Sequence, residues 1–151
     1  MAEINSDILA GNDATACLEA VIRMFSADTG TLHFLGADGM LHLAALHGAI
    51  PAAVMEHIRT IPIGKGMAGA CAELNDPVSW CNLNNDGSGV VQSRARSMGL
   101  AGSIVVPVRN GSVLVGTLGI ANKEERTFSE AETVLLMECA SSLARFHETP
   151  C

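Results

Sequence analysis

The residues whose type and spacing most directly suggest a binding site are two histidines, His33 and His42. They lie on either side of a turn signal at Gly36–Gly39, and counting back from that turn places both on the same face of a predicted hairpin. That face is otherwise half apolar, so we expect it to be covered and to form part of a small-molecule pocket. A metal or haem sensor is the alternative, although two imidazoles lack the third protein ligand typical of zinc.

Cysteine usage indicates a reduced protein rather than a disulfide framework. The five cysteines are an odd number, are widely spaced and form no Cys-x-x-Cys pair. Cys71 and Cys81 are ten residues apart, and we expect both to line the same pocket. The favoured interpretation is that they are inert, small apolar side chains, and the alternative is a redox sensor.

A polar, glycine-containing segment over residues 82–89 offers many hydrogen-bonding groups. It lacks the spaced acidic ligands and the closing glutamate of a calcium loop, so a solvated surface loop and a lid over the pocket are the two interpretations. The small residues 68–70 belong to a short helix predicted before this segment. They would let that helix cover the pocket without filling it. Few cations lie nearby in sequence, so a neutral or weakly charged ligand fits better than a polyphosphate. The predicted lining is His33, His42, Met67, Cys71, Cys81, Asn82, Asn84, Asp86 and Ser88.

Length and composition restrict the kinds of protein that could hold such a pocket. The 151 residues suit one domain, which we place at 12–147 between a lead-in over 1–11 and a tail over 148–151. A net charge of −7 without a basic cluster argues against nucleic acid and anionic membranes as partners. No apolar stretch is long enough to cross a bilayer, and the N-terminus lacks a signal-peptide pattern. We therefore predict a cytoplasmic protein.

The elements that must position these residues follow from periodicity and turn signals. Helices are predicted over 13–26 and 129–147, and the capping box Ser129-x-x-Glu132 opens the second. Pro62 marks an edge strand. Further strands are predicted over 31–35, 40–46, 78–81, 103–108 and 112–121. This order predicts an α+β fold: a central antiparallel sheet with the N- and C-terminal helices packed together on one face, and short helices and loops over the other.

The terminal helices also carry apolar residues that lie off their main core stripe. We expect Met24, Met137 and Phe146 to face water in a monomer. The sequence therefore predicts a homodimer formed through the terminal helices.

Four segments, in this order along the chain, resemble a GAF domain over about residues 12–147. They are Ile61–Gly69, Asp76–Val78, Ile104–Val108 and Gly116–Asn122. A further motif of the family corresponds to Asn122, Lys123, Phe128 and Glu132, although this chain has Glu132 where aspartate is usual and Thr133 where glutamate is usual. We interpret it as a structural clasp between a strand and the following helix, in which Lys123 and Glu132 could pair, and not as a catalytic dyad.

The resemblance implies a regulatory module of the kind often attached to kinases, cyclases or transcription activators. We expect a stand-alone, non-catalytic sensor that binds a small molecule and acts as a dimer in signal transduction, with a kinase or transcription regulator as a possible partner in trans. A dimerisation module without a ligand is a further alternative. The sequence identifies neither the ligand nor a cofactor.

The same resemblance raises the alternative of an enzyme. Free methionine sulfoxide reductases resemble GAF domains, but their catalytic cysteines would fall where this chain has Ala68 and Gly102. A covalently attached bilin would be expected at a Cys-His pair, whereas Cys81 is followed by Asn82. Both enzyme and pigment protein are therefore disfavoured.

Overall fold

Three helices and six strands are defined in the part of the chain that the structure describes. The computed structural model describes residues 14–48, 55–56, 58–80, 102–124 and 127–146, with the backbone alone at Trp80 and Arg145. In chain order the elements are α1 (Ala14–Phe25), β1 (Thr29–Leu35), β2 (Met40–His47), β3 (Thr60–Pro62), α2 (Gly66–Leu74), β4 (Val78–Trp80), β5 (Gly102–Asn110), β6 (Val113–Asn122), α3 (Glu130–Leu143) and a 3₁₀ turn (Ala144–Phe146). The lead-in and the tail lie outside the described residues. Within the described part of the chain, no helix combines the length and apolarity that a membrane crossing requires.

The strands form one curled sheet in the order β3-β2-β1-β6-β5-β4, and every neighbouring pair is antiparallel. The long strands β5 and β6 form the central hairpin, whose last pair is Asn110 and Val113. The turn residues are therefore Gly111 and Ser112, whereas the predicted strands 103–108 and 112–121 placed the turn at residues 109–111. Gly111 has a φ of 67°, which suits glycine at the first position of a two-residue hairpin turn.

The terminal helices α1 and α3 pack on the same face of the sheet, as predicted. Their buried residues share one apolar cluster with the alternate residues of β1, β5 and β6. Each fully buried leucine in such a cluster contributes about 1.5–3 kcal/mol by its removal from water. The cluster's fully buried members include Leu18, Val21, Leu32, Val106, Leu118, Leu136 and Leu143. We call this side the helix face of the sheet and the opposite side, which α2 covers, the site face.

The capping box at the start of α3 is confirmed. The Ser129 hydroxyl accepts a hydrogen bond from the Glu132 N–H at 3.1 Å, and the Glu132 carboxylate accepts one from the Ser129 N–H at 3.1 Å. The end of β6 also bonds back to the turn after α1, while the predicted clasp between Lys123 and Glu132 stays a prediction. The Asn122 amide donates to the Ser26 carbonyl at 2.9 Å, and the Lys123 N–H donates to the Asp28 carboxylate at 2.7 Å. These bonds join the end of β6 to the turn that follows α1.

The apolar residues expected to face water are instead part of the fold. Met24, Met137 and Phe146 are partly buried and pack against the core cluster, so this expectation was wrong. Val134, on α3, is 52% exposed. A strip of apolar residues wider than the simple helical stripe reaches the core because the curled sheet and the 3₁₀ turn contact the sides of the helices.

Candidate functional site

The turn between β1 and β2 sets which side chains reach the site face. The Gly36 N–H donates to the Met40 carbonyl at 2.8 Å, and Leu35 pairs with Leu41. Gly39 has a φ of 78°, so the loop contains three residues and ends in a left-handed glycine. This pairing differs by one residue from the pairing that a simple count from the turn gives. A one-residue shift in register moves every side chain of a strand to the other face.

His33 and His42 therefore lie on opposite faces of the sheet, and the prediction of a histidine pair was wrong. His33 is opposite Leu43 on the site face, whereas His42 is opposite Phe34, which packs against the helix-face core. His42 is half-exposed, and its Nε2 lies 2.9 Å from the Asp38 carboxylate. The hydrogen bond from His42 lowers the pKa of Asp38, with a further contribution from the Met40 N–H.

This separation also removes the geometric basis for a metal site at the two histidines. Two imidazoles on opposite faces of one sheet cannot coordinate the same ion. In the described ranges, no three histidine, cysteine, aspartate or glutamate side chains come together as a metal site would require.

His33 is a buried, neutral imidazole at the centre of the site face. Its side chain is 2% exposed, and Nε2 lies 2.7 Å from the Ile58 carbonyl oxygen. A carbonyl can only accept, so Nε2 carries the proton and Nδ1 has a lone pair. Burial lowers the pKa of His33 below its usual value, and the bond to Ile58 opposes that effect only in part. At neutral pH, His33 thus offers a hydrogen-bond acceptor without a charge.

Beside His33 lies a hydroxyl without a hydrogen bond. Thr117 on β6 pairs directly with His33 on β1 and with Pro107 on β5, so its side chain shares their face. Thr117 is 1% exposed, and among the described residues its Oγ1 has no hydrogen-bond partner. An unsatisfied buried hydroxyl costs about 1–3 kcal/mol, so natural proteins seldom retain one without a reason.

Helix α2 covers this face. Cys71 is fully buried and Met67 is partly buried on α2, which packs against β5 and β6. Burial raises the pKa of the Cys71 thiol to about 12, and the nearby Arg109 opposes this only in part. The thiol is therefore protonated at neutral pH.

The remaining predicted lining residues are not tested by the structure. Cys81, Asn82, Asn84, Asp86 and Ser88 lie outside the described residues. The proposals that Cys81 shares the pocket with Cys71, and that the polar loop forms a lid, stay predictions.

Gly69 lets α2 approach the preceding loop closely. A Cβ atom at Gly69 would lie 2.6 Å from the Pro62 carbonyl oxygen, and the Gly64 N–H donates to the Gly69 carbonyl at 2.9 Å. That the small residues 68–70 let this helix cover the pocket without filling it stays a prediction. At Gly69 the close approach is to the β3–α2 loop, which fixes the start of the helix.

Arg109 fixes the other end of α2. Its Nε–H donates to the Asn75 side-chain oxygen at 2.8 Å, and a second guanidinium N–H donates to the Asn75 carbonyl. Asn75 ends α2 in the left-handed conformation, with a φ of 53°. A cation at a helix C-terminus is also stabilised by the helix dipole. The covering helix is therefore tied to the sheet through β5.

A cleft of 440 Å³ lies away from the predicted pocket. It opens between the tip of the β5–β6 hairpin and the end of α3. The lining residues are Arg109, Asn110, Gly111, Ser141 and Ala144.

Sequence reasoning missed Thr117, Ile58 and the Arg109–Asn75 contact. Thr117 lies within the apolar run of β6. The one signal available was a hydroxyl in a strand expected to be buried on both faces, which could have indicated a polar group on the site face. The contact of His33 with Ile58 joins residues 25 positions apart, and that of Arg109 with Asn75 joins residues 34 positions apart. Such contacts depend on the tertiary arrangement and have no local signal.

The lowered pKa of His33 predicts how stability depends on pH. The unfolded chain takes up a proton at His33 near pH 6.5, whereas the folded chain does so only at lower pH. The contribution of His33 to the free energy of unfolding should therefore be constant above about pH 6.5 and fall below it, with a limiting slope of about 1.4 kcal/mol per pH unit. Urea unfolding of wild type and His33→Gln measures this, since the glutamine removes the titrating group. Identical pH dependences in the two proteins would contradict the expectation.

A family model described as a GAF domain matches residues 14–146 of the chain. A comparison with curated proteins gives no significant match.

Solved structures with the same fold have low sequence identity. The GAF domain of a phosphoenolpyruvate-protein phosphotransferase from Coxiella burnetii superposes with a TM-score of 0.76 at 20% identity, covering 94% of this chain and 86% of that one. The corresponding Acinetobacter domain gives 0.73 at 19% identity, covering 93% and 85%. A free methionine-R-sulfoxide reductase from Neisseria meningitidis, solved in complex with its substrate, gives 0.74 at 20% identity, covering 94% and 82%. At these identities the likeness shows the fold, which the two GAF domains and the reductase share.

Proposed function

The chain belongs to the GAF domain family, and we propose that it is a non-catalytic sensor that binds a small molecule on the site face of its sheet. The Thr117 hydroxyl is the observation that carries this proposal. It is buried beside His33 and below α2 without a partner among the described residues. A ligand on this face would supply the missing hydrogen bond and offset the cost of burying the hydroxyl.

The arrangement around Cys71 favours binding over catalysis. A thiol acts as a nucleophile or redox group through its thiolate, and such cysteines lie in exposed, electropositive surroundings. Cys71 is fully buried, and its pKa is raised to about 12. In the segments where the resemblance would place reductase cysteines, the chain has Ala68 and Gly102. We therefore propose a regulatory role rather than a reductase activity.

We further propose that the module acts as a homodimer in signal transduction, with a kinase or transcription regulator as partner in trans. The interface through the terminal helices is a proposal from the sequence, and Val134 on α3 is 52% exposed. We also propose a cytoplasmic location, which the odd number and wide spacing of the cysteines support.

The two histidines provide a matched pair of variants for testing ligand binding. A ligand at about a hundred times its Kd stabilises a protein by about 2.7 kcal/mol, which is roughly 5–10 °C for a domain of this length. We expect His33→Ala to lose the melting shift given by a metabolite that stabilises wild type. His42→Ala is expected to keep it, because His42 lies on the opposite face. His33→Gln, whose amide can donate to Ile58, serves if the alanine variant is too unstable. Equal shifts in the His33 and His42 variants would contradict the proposed site.

The enzyme alternative has its own measurement. Wild type, free methionine-R-sulfoxide and a thioredoxin-coupled reductant are incubated together, and reductant consumption is followed. We expect no turnover above the rate without protein. Sustained turnover that disappears in a cysteine variant would replace the sensor proposal with a reductase.

A further inference from the structure

The site face concentrates buried polar groups, and among the described residues the row across its centre carries no charged side chain. The row across its centre consists of Leu43, His33, Thr117 and Pro107 on four neighbouring strands. Two of these side chains are apolar, one is a hydroxyl and one is a neutral imidazole. Proline has no N–H, so this part of β5 presents no backbone donor to a ligand.

The polar atoms of this face divide into those already bonded and those available. His33 Nε2–H is bonded to the Ile58 carbonyl, and the Ser103 hydroxyl donates to the Ile120 carbonyl at 3.3 Å. Thr117 Oγ1 has no partner among the described residues, and the neutral His33 leaves Nδ1 as an acceptor. A ligand on this face would therefore meet the Thr117 hydroxyl, which can donate or accept, and His33 Nδ1, which can accept.

Of the two charges that act on the Cys71 thiol, Asp76 is exposed beyond the end of α2, and Arg109 is engaged elsewhere. Arg109, which β5 directs to the side of α2, is bonded twice to Asn75. The Cys71 thiol is protonated at neutral pH. The Asp38–His42 pair belongs to the opposite side of the sheet and to the hairpin turn. A charged ligand buried here would lose its hydration without gaining a counter-charge from these groups, and that exchange is strongly unfavourable.

We propose that the site accepts an uncharged polar ligand, which forms the missing hydrogen bond with the Thr117 hydroxyl. The inference rests on the proposed function, because it specifies the ligand of the same site. It excludes carboxylates, phosphates and zwitterions as preferred ligands, and so also separates this chain from an enzyme that acts on a free amino acid derivative.

The first test needs no ligand. Thr117→Val keeps the branched shape and removes the unsatisfied hydroxyl, so we expect the unfolding midpoint to rise by about 2–4 °C. Ser103→Ala is the matched control, because it removes a buried hydroxyl that is satisfied, and we expect a lower midpoint. A lower midpoint in Thr117→Val would show that the hydroxyl already has a partner in the fold, and would overturn the proposal.

The second test measures the charge preference directly. Wild type is dialysed against an equimolar mixture in which each uncharged compound accompanies a charged analogue: adenosine with adenosine monophosphate, nicotinamide with nicotinate, uracil with orotate, and inositol with inositol monophosphate. Mass spectrometry then identifies the compounds retained by the protein. We expect uncharged members to be enriched and Thr117→Val to bind them at least about tenfold more weakly. Thr117→Ser, which restores a hydroxyl, is expected to recover binding.

The possible outcomes separate the two proposals. Enrichment of the charged analogues alone would overturn the inference about ligand class, while small-molecule binding at the site would stand. Enrichment of uncharged compounds that is equal in wild type and Thr117→Val would overturn the role of the hydroxyl. If wild type retains no compound from the mixture, both the inference and the proposed function fail this test.

Discussion

Gly116→Ala is expected to prevent stable folding of the domain. A Cβ atom at Gly116 would overlap the backbone carbonyl oxygen of His33 and lie 3.0 Å from the Phe34 ring. Backbone in the centre of a sheet cannot move aside without breaking the β1–β6 ladder. We expect a loss above about 4 kcal/mol, which is a large part of the stability of a typical domain. Circular dichroism and urea unfolding measure the effect.

Gly119→Ala is the matched control on the same strand. Its Cβ atom would lie 3.3 Å from the Val105 side chain and 3.5 Å from the Thr31 hydroxyl, and side chains can adjust by a few tenths of an ångström. We expect a change within about 1 kcal/mol. A Gly116→Ala protein that unfolds at the same urea concentration as Gly119→Ala would contradict the close approach of β1 and β6. That approach matters to the site because the same pairing places His33 beside Thr117.

The second large effect concerns the reactivity of Cys71. With its pKa raised to about 12 by burial, the thiolate population at pH 8 is about a thousandfold below that of an ordinary cysteine. We expect iodoacetamide to leave Cys71 unmodified in the native protein and to modify it fully after unfolding in urea. Peptide mass spectrometry at successive times gives the rate for each cysteine.

Cys139 provides an internal comparison in the same experiment. It is also buried, and burial raises its pKa to about 11, so it too should react slowly. Rapid native alkylation or peroxide oxidation of Cys71 alone would revive the redox-sensor alternative. The same digest reports on Cys81 without further assumptions.

The sequence predicted the sheet, the terminal helices and the capping box because each has a local cause. Ser129 and Glu132 bond to each other across three residues, and the buried positions of α1 recur at helical spacing. The prediction of a histidine pair was wrong because of an equally local feature. A loop of three rather than four residues, ending at Gly39, reverses the face on which His42 lies. Face assignments in a hairpin are only as reliable as the count of residues in its turn.

The site was less predictable than the fold. His33 and Cys71 were identified from residue type, and both are buried on or above the site face. The partner of His33 is a backbone carbonyl, which every residue possesses, so no residue type marks Ile58. Thr117 gave no signal because threonine is common in strands, and only the completed sheet reveals that its hydroxyl is unpaired.

The two outermost strands, β3 and β4, have three residues each. Unpaired strand edges allow sheets of separate molecules to join and to polymerise into fibres. Such edge-to-edge pairing is disfavoured at β3. Pro62 has no backbone N–H to donate to a new strand, and a strand of three residues forms few hydrogen bonds. The domain is thus protected from adding copies of itself side by side at high concentration. The homodimer proposed above would therefore use another surface, formed by the terminal helices.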